Sequence, residues 1–424
     1  MHLLELTLYL SIKEEFEEFK NKIGRDLVKK IAFVVPWYGD KIPGGAETET
    51  RNIVKNLTKK GIEVEILTTC VEKFSSDWNK NYYKEGNYEE SGIKIKRFKV
   101  RKRDNKKFDN VNALLMQGRR ISLEAEQIFF EEMIRSTNLE KYIEENLENY
   151  SLFCFIPYMF GTTYWGVKKA KKKSVLIPCL HDEAYAYMKS LKEIFNLVSG
   201  CIFLAKPEKN LAEKLFGLKD TKKEVIGGGL DINISRDFSG FKEKYNLKNP
   251  YILYAGRKDK GKNIDLLVEY FKKFKERNND NLDLVLIGGG QLKIPKEIKN
   301  CVHDLGFIDI EDKYKAYANA VTLVQPSVNE SFSIVIMESW LTERPVIVNN
   351  NCEVTKNFAI ESNGGLYFNN YFEFEEILKF YINNPNIANK LGQNGKEYVF
   401  KNFDREIVTK KYIDFFKELV GEKD

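Results

Sequence analysis

Two glutamates bracket the stretch Glu330-Ser331-Phe332-Ser333-Ile334-Val335-Ile336-Met337-Glu338, and of all the acidic pairs in this 424-residue chain they are the best placed to hold a hydroxyl-rich ligand. Upstream, Val321 to Gln325 is a short apolar run stopped by Pro326-Ser327, the pattern of a buried strand ending in a turn. Glu330 then falls in a loop. Ser331 and Ser333 are N-cap residue types, and Ile334, Met337 and Leu341 recur at helical spacing, which predicts a helix starting near Phe332 with Glu338 two turns in. A helix start offers free N–H groups and partial positive charge, so a ligand beside Glu330 is expected to be anionic or rich in hydroxyls. Two carboxylates there could hold hydroxyl pairs of a sugar and a ribose. Most of the 62 acidic residues must be solvated surface. What separates Glu330 is its loop after an apolar strand, because ligands of open α/β sheets collect outside strand carboxyl ends.

Cations stand at a second strand end. In Gly256-Arg257-Lys258-Asp259-Lys260-Gly261-Lys262-Asn263, Arg257 and Lys262 follow the apolar run Tyr251 to Ala255, and Asn263 is expected to cap a helix carrying Leu266, Leu267, Tyr270 and Phe271. Two cations there suit a diphosphate whose charge grows as it leaves; the plainer alternative is a basic surface loop. Gly288-Gly289-Gly290, after Leu282 to Ile287, is another loop of this kind. Near the start, Gly39 to Glu47 with Gly44-Gly45 separates the first strand from its helix, where glycines admit a phosphate to the backbone. It is neither a GxGxxG fingerprint nor a Walker loop, so a simple turn is the competing reading.

Histidine is scarce: His2, His181 and His303. His181 follows Ser174 to Leu180 and precedes Asp182-Glu183, a position for a ligand-facing group, although lone histidines are more often structural. No Cys/His spacing suits zinc, and neither a GxSxG elbow nor a DxD-like dyad stands in a strand-end loop.

These residues must be positioned by strands alternating with helices. Ile31 to Pro36 reads as a buried parallel strand, followed by a helix from Ala46 to Lys60 with Ile53, Val54 and Leu57 inward. Further strands are expected at Ile62–Leu67, Gly92–Val100, Leu152–Pro157, Ser174–Leu180, Gly200–Ala205 and Glu224–Ile226. A second series runs through Tyr251–Gly256, Leu282–Ile287, Cys301–Phe307, Val321–Gln325 and Pro345–Asn349. Val111 to Leu147 is helical in pattern and charged, as is most of 371–420. Gly227-Gly228-Gly229 is the hinge candidate. The division expected is a helical extension over 1–29, with Phe16, Phe19, Ile23 and Leu27 on one face, α/β domains over 30–225 and 226–400, and a last helix over 401–424.

Composition sets the class. Hydrophobic residues at 43% and charged residues at 31% are those of a soluble globular protein, and the net charge of +6 does not call for nucleic acid. The basic residues cluster at Arg101 to Lys107 and Lys168 to Lys173, which as more than solvated surface would suit an anionic membrane or acceptor. Six dispersed cysteines without a CxxC pair predict buried thiols in a reducing compartment. The first ten residues contain Glu5 and no basic leader, so neither signal peptide nor anchor is expected. The expected location is cytoplasmic, with contact at a membrane face.

Taken in order, the Gly44 to Glu47 loop, His181, Arg257 with Lys262, and the phrase QPSVNESFSIVIMES holding Glu330 and Glu338 resemble the retaining glycosyltransferases of family 4. The resemblance runs from about Ile31 to the final helix. It implies the GT-B architecture, two Rossmann-like α/β domains with parallel sheets facing a cleft and a C-terminal helix crossing back to the first. It also implies a hexosyltransferase-type enzyme with a nucleotide-diphosphate sugar as co-substrate, no metal or other cofactor, and a glycan or lipid-linked acceptor. Glu330 would contact the donor sugar, Glu338 the ribose, and Ser331, Phe332, Ser333 and Gly289 the rest of the donor. Arg257 and Lys262 would stabilise the leaving diphosphate. Gly44 and Gly45 would admit phosphate or acceptor, and His181 would lie near the sugar; base recognition is expected around His303 to Phe307. The chain departs from the family after Pro345, where Asn349-Asn350-Asn351-Cys352-Glu353 replaces a glycine-rich turn. The alternatives are a nucleotide-sugar 2-epimerase of the same fold and a non-catalytic nucleotide-sugar-binding subunit.

Overall fold

The computed structural model describes residues 28, 30–42, 44–278 and 280–421. The extension expected over 1–29, with Phe16, Phe19, Ile23 and Leu27, lies outside the described residues except for Val28, which is buried. The chain divides into two compact units. One holds the residues up to Leu204, Lys209–Ile226 and the chain from Thr409; the other holds Ala205–Glu208 and Gly227–Val408.

The first unit is built on a sheet of β1 (Lys30–Val35), β2 (Glu63–Thr69), β3 (Gly86–Glu90), β4 (Ile93–Phe98), β5 (Leu152–Phe155), β6 (Ser174–Leu176), β7 (Gly200–Phe203) and β8 (Lys222–Val225). Their order is β3-β4-β2-β1-β5-β6-β7-β8, parallel except for the β3–β4 pair. β1 lies between β2 and β5 in register, which is why Ile31 to Val35 is uninterrupted apolar sequence: every residue of it is buried. β3 escaped the sequence reading because Gly-Asn-Tyr-Glu-Glu is a polar edge strand. β6 stops at Leu176, well short of the expected Leu180; three residues on, Cys179 adopts φ 52° and turns the chain away.

The helical stretch expected over Val111 to Leu147 resolves into Asn105–Met116, Leu123–Glu132 and Thr137–Glu145, which start on Asp104, Ser122 and Ser136 side chains that cap free N–H groups. Part of the last helix, Arg405–Gly421, belongs to this unit. Phe415 and Leu419 pack where Gly200 has no side chain, since a Cβ there would come within 2.9 Å of each.

The second unit carries β9 (Tyr251–Ala255), β10 (Asp283–Ile287), β11 (Val302–Gly306), β12 (Thr322–Gln325), β13 (Val346–Asn349) and β14 (Gly365–Phe368), all parallel, in the order β11-β10-β9-β12-β13-β14. The chain builds outward from β9 to β11, then crosses back to place β12 on the other side of β9. That reversal is a topological switch point, and the loops leaving β9 and β12 flank it.

The helix Ile334–Leu341 is locked against the helix Pro385–Asn402 by two glycines. A Cβ on Gly392 would lie 2.0 Å from the Glu343 carbonyl oxygen, and one on Gly395 2.2 Å from the Trp340 ring. Trp340 is fully buried and donates its indole N–H to the Gly364 carbonyl at 2.8 Å. Glu338, two residues before Trp340 on the same helix, is thereby held on a rigid element.

Candidate active site

β12 ends at Gln325, a buried polar residue closing an apolar strand. Its amide nitrogen donates at 3.3 Å to Glu330 Oε1 and at 3.3 Å to Ser333 Oγ, while its own Oε1 is buried without a partner. Glu330 Oε1 also accepts from Lys262 Nζ at 2.7 Å, and the carboxylate side chain is only 9% exposed. The loop after β9 and the loop after β12 therefore meet in one ion pair at the switch point.

The turn between them has backbone angles that sequence patterning does not reveal. Ser333 is left-handed (φ 64°) and makes no side-chain cap, so the helix begins at Ile334 rather than near Phe332. Asn263 is left-handed as well (φ 55°) and does not cap the helix Ile264–Arg277; its amide donates to the Pro326 carbonyl at 3.0 Å. Asn349 donates to the same carbonyl at 3.1 Å and accepts from the Asn351 N–H at 2.9 Å. Asn349 thus pins the ends of β12 and β13 together. Non-glycine residues with positive φ carry strain and cluster where surroundings over-determine them.

Glu338 is 4% exposed with one bond on each oxygen: Lys313 donates to Oε1, and the Tyr317 hydroxyl to Oε2 at 2.9 Å. Lys313 and Tyr317 are four apart on the helix Ile310–Asn319 and so share a face. Burial, then the Glu338 charge, pushes the Tyr317 phenol well above its ordinary value.

Of the two cations named from sequence, Lys262 joins Glu330, while Arg257 projects into solvent with its side chain 60% exposed, 3.4 Å from Asp259. Lys258 between them is buried and bonded to Asp304. Gly289 sits in a glycine loop that sequence reading gave to a ligand. The structure supplies another reason for it: Cβ atoms on Gly288 and Gly290 would lie 2.1 Å from the Gly256 carbonyl oxygen and 2.7 Å from that of Lys258. The exposed Phe307 ring packs against Gly289, and His303 is tied to Asp283 Oδ2 at 2.9 Å.

The remaining named residues are in the first unit. Gly44 (φ 146°) precedes the helix Gly45–Lys59, Glu47 accepts from the Trp37 indole at 2.6 Å, and Arg51 closes the loop on the Gly39 and Ile42 carbonyls. Within that helix Glu49 is buried with Oε1 unpartnered, and burial pushes its carboxyl up to about 8. His181 lies five residues beyond β6, partly exposed, its Nδ1 3.5 Å from Glu183 Oε1.

Sequence reading missed Gln325, Lys258, Lys313 with Tyr317, and the structural use of Asn349. A polar side chain closing an apolar strand was a usable sign for Gln325, and the four-residue spacing for Lys313 and Tyr317. Nothing in the sequence said which carboxylate each would meet.

Residues 235–398, most of the second unit, match the family described as Glycosyl transferases group 1. The chain is similar to an uncharacterized glycosyltransferase of Methanocaldococcus jannaschii, 25% identical over 52% of this chain and 61% of that protein. It is also similar to a capsular polysaccharide biosynthesis glycosyltransferase of Staphylococcus aureus, 26% identical over 48% of this chain and 58% of that protein. The chain thus spans about three-fifths of the length of these curated relatives. Among solved structures it is similar to the Anabaena protein HepE in complex with UDP and glucose, with a TM-score of 0.65 and 15% identity over 92% of this chain and 100% of that one. Both units have the Rossmann-like build of the GT-B fold, as the sequence resemblance implied.

The buried Glu49 makes stability depend on pH. Its folded-state value lies above the ordinary 4.5, so folding takes up a proton between about pH 4.5 and 8 and stability falls as pH rises through that window, by up to about 1.4 kcal/mol per pH unit. Glu49→Gln keeps the shape without the charge. Thermal unfolding should give it a higher Tm than the parent at pH 8 and the same Tm near pH 4; equal values at both contradict the burial argument.

Proposed function

We propose that the chain is a retaining glycosyltransferase that moves a hexosyl group from a nucleotide-diphosphate sugar to a hydroxyl acceptor in glycan or glycolipid synthesis, without a metal. The observation that carries this reading is the Glu330 carboxylate at the end of β12, gripped by Lys262 and Gln325, with Glu338 buried eight residues further on. The family match over 235–398 supports it, as does the likeness to a protein of the same fold that binds UDP and glucose.

In this reading Glu330 accepts hydrogen bonds from donor-sugar hydroxyls, and Glu338 takes ribose hydroxyls with the lone pairs that Lys313 and Tyr317 leave. Lys262, already charge-paired, is shared between Glu330 and the β-phosphate, and Arg257 is free to swing onto the diphosphate. Ser331, Phe332 and Ser333 present backbone to the donor, and the exposed Phe307 ring beside Gly289 offers a face for the base. Gly44 and Gly45 are assigned to phosphate or acceptor, and His181 to a sugar hydroxyl. The bond from the anomeric carbon to the β-phosphate oxygen breaks with its electron pair going to phosphate. The acceptor oxygen bonds the same face of that carbon, and its proton passes to the departing phosphate oxygen. Lys262 and Arg257 stabilise the charge that grows there, the role a metal plays elsewhere.

The test is a thermal-shift panel of nucleotide diphosphates and nucleotide sugars, followed by transfer assays with the donor that stabilises most. Glu330→Gln should lower turnover by about a hundredfold while donor binding holds, and Glu338→Ala should mainly weaken donor binding. Full activity in Glu330→Gln or Arg257→Ala would overturn the proposal, and conversion of donor without acceptor would favour the 2-epimerase.

An acceptor at an anionic membrane is part of this reading, carried by only part of the basic runs and by two arginines outside them. Lys168, Lys169, Lys173 and Arg101 are neutralised by Glu193, Glu144, Glu148 and the pair Glu131 and Glu132. The cations left without an ion pair among the described residues include Lys102, Lys106, Lys107, Arg119 and Arg120, and the helix ends flanking the arginines expose Met116 (75%) and Leu123 (54%). Cosedimentation with anionic vesicles at low salt should weaken about thirtyfold in Arg119→Ser/Arg120→Ser, at roughly 1 kcal/mol per cation; no binding by the parent chain counts against the membrane.

A further inference from the structure

His181 is followed by two carboxylates, and the structure treats them differently. Asp182 turns away and accepts from the Tyr187 hydroxyl at 2.6 Å. Glu183 turns back, its backbone N–H bonded to the His181 carbonyl at 3.0 Å, which brings Oε1 to 3.5 Å from His181 Nδ1. That oxygen is buried and has no hydrogen-bond partner. Two phenols lie near it. The Tyr185 hydroxyl is committed to Asn112 Oδ1 at 2.7 Å, whereas the fully buried Tyr158 hydroxyl makes no other hydrogen bond and lies near enough to Glu183 for that carboxylate to hold its proton on.

A buried carboxylate oxygen without a donor is costly, and at 3.5 Å an N–H on His181 Nδ1 is a donor that a small side-chain movement would supply, alongside the Tyr158 hydroxyl. Active-site hydrogen bonds commonly run long before a ligand arrives. The left-handed backbone at Cys179 re-aims the chain two residues before His181, so the ring's position is imposed by the fold.

We propose that Glu183 is a positioning residue that holds neutral His181 as its Nδ1–H tautomer, leaving the Nε2 lone pair to accept a hydrogen bond from a sugar hydroxyl. A proton on one ring nitrogen is set by the partner of that nitrogen, and the other becomes the ligand-facing atom. The ligand class, a sugar hydroxyl, rests on the glycosyl-transfer reading; the tautomer does not. In this arrangement the Nε2 lone pair of His181 accepts from the hydroxyl.

The 424-residue chain contains three histidines, so its ring nitrogens can be followed one residue at a time by histidine-selective nitrogen-15 NMR, with His181→Gln assigning the signals. At a pH where the ring is neutral in the same titration, the Nδ1–H form should dominate. Glu183→Leu should lower the ratio of Nδ1–H to Nε2–H at least about fivefold, the effect of one charge-assisted hydrogen bond. Glu183→Gln, which keeps an acceptor, should shift it less and in the same direction, and serves if the leucine variant does not fold. Tyr158→Phe, which removes the other donor near Glu183, should keep the Nδ1–H form dominant or increase it. A parent ring in the Nε2–H form, or a ratio indifferent to both Glu183 variants, overturns the proposal. If the tautomer responds but no nucleotide sugar is bound or turned over, the positioning role stands and the glycosyl-transfer reading fails.

Discussion

The Lys262 ammonium and the Glu330 carboxylate meet at 2.7 Å beside the switch point of the second unit, and the rest of that unit is arranged around their meeting. Because β12 pairs with β9 instead of β11, the two loops that leave these strands come out side by side. A cation from one and a carboxylate from the other then become neighbours although 68 residues separate them. An ion pair this sheltered is worth keeping only if its remaining hydrogen-bonding capacity is used. Gln325 fills part of it, and a ligand with hydroxyls and phosphates could use the rest.

The polar groups behind this pair serve mainly to fix backbone. Asn263 and Asn349 converge on the Pro326 carbonyl and clamp the loop carrying Glu330 to β13 and to the loop of Lys262. Glycines 288 and 290 let the loop after β10 lie against the loop after β9, where Lys258 reaches Asp304 from beneath. Trp340 and the two facing glycines hold the helix of Glu338. Few of these contacts are large in energy, but each removes a direction in which the carboxylates could drift, and positioning within about half an ångström is what a binding constellation demands.

Much of the fold could be read from the chain. Long apolar runs such as Ile31 to Val35 and Tyr251 to Ala255 belong to central parallel strands, and central strands must be apolar on both faces. Edges were harder: β3 is polar because half of it faces water, and β14 is a four-residue strand. The candidate residues at strand ends were visible as residue types, since a carboxylate or cation after an apolar run stands out. Their partners were not. Ser333 and Asn263 look like caps and are left-handed corners, because cap chemistry and turn chemistry draw on the same small polar residues. Lys258 looks like one more exposed lysine in a basic loop and is buried, a matter of which way the loop folds over Asp304.

The central claim is that Lys262 and Glu330 work as one unit on one ligand. A double-mutant cycle on donor turnover tests it most directly, comparing the parent with Lys262→Met, Glu330→Gln and the pair. Residues acting as a unit are not additive, so the double variant should be no slower than the more damaged single within about threefold. If the two losses multiply, the ion pair at the switch point is two independent surface residues and the account is wrong.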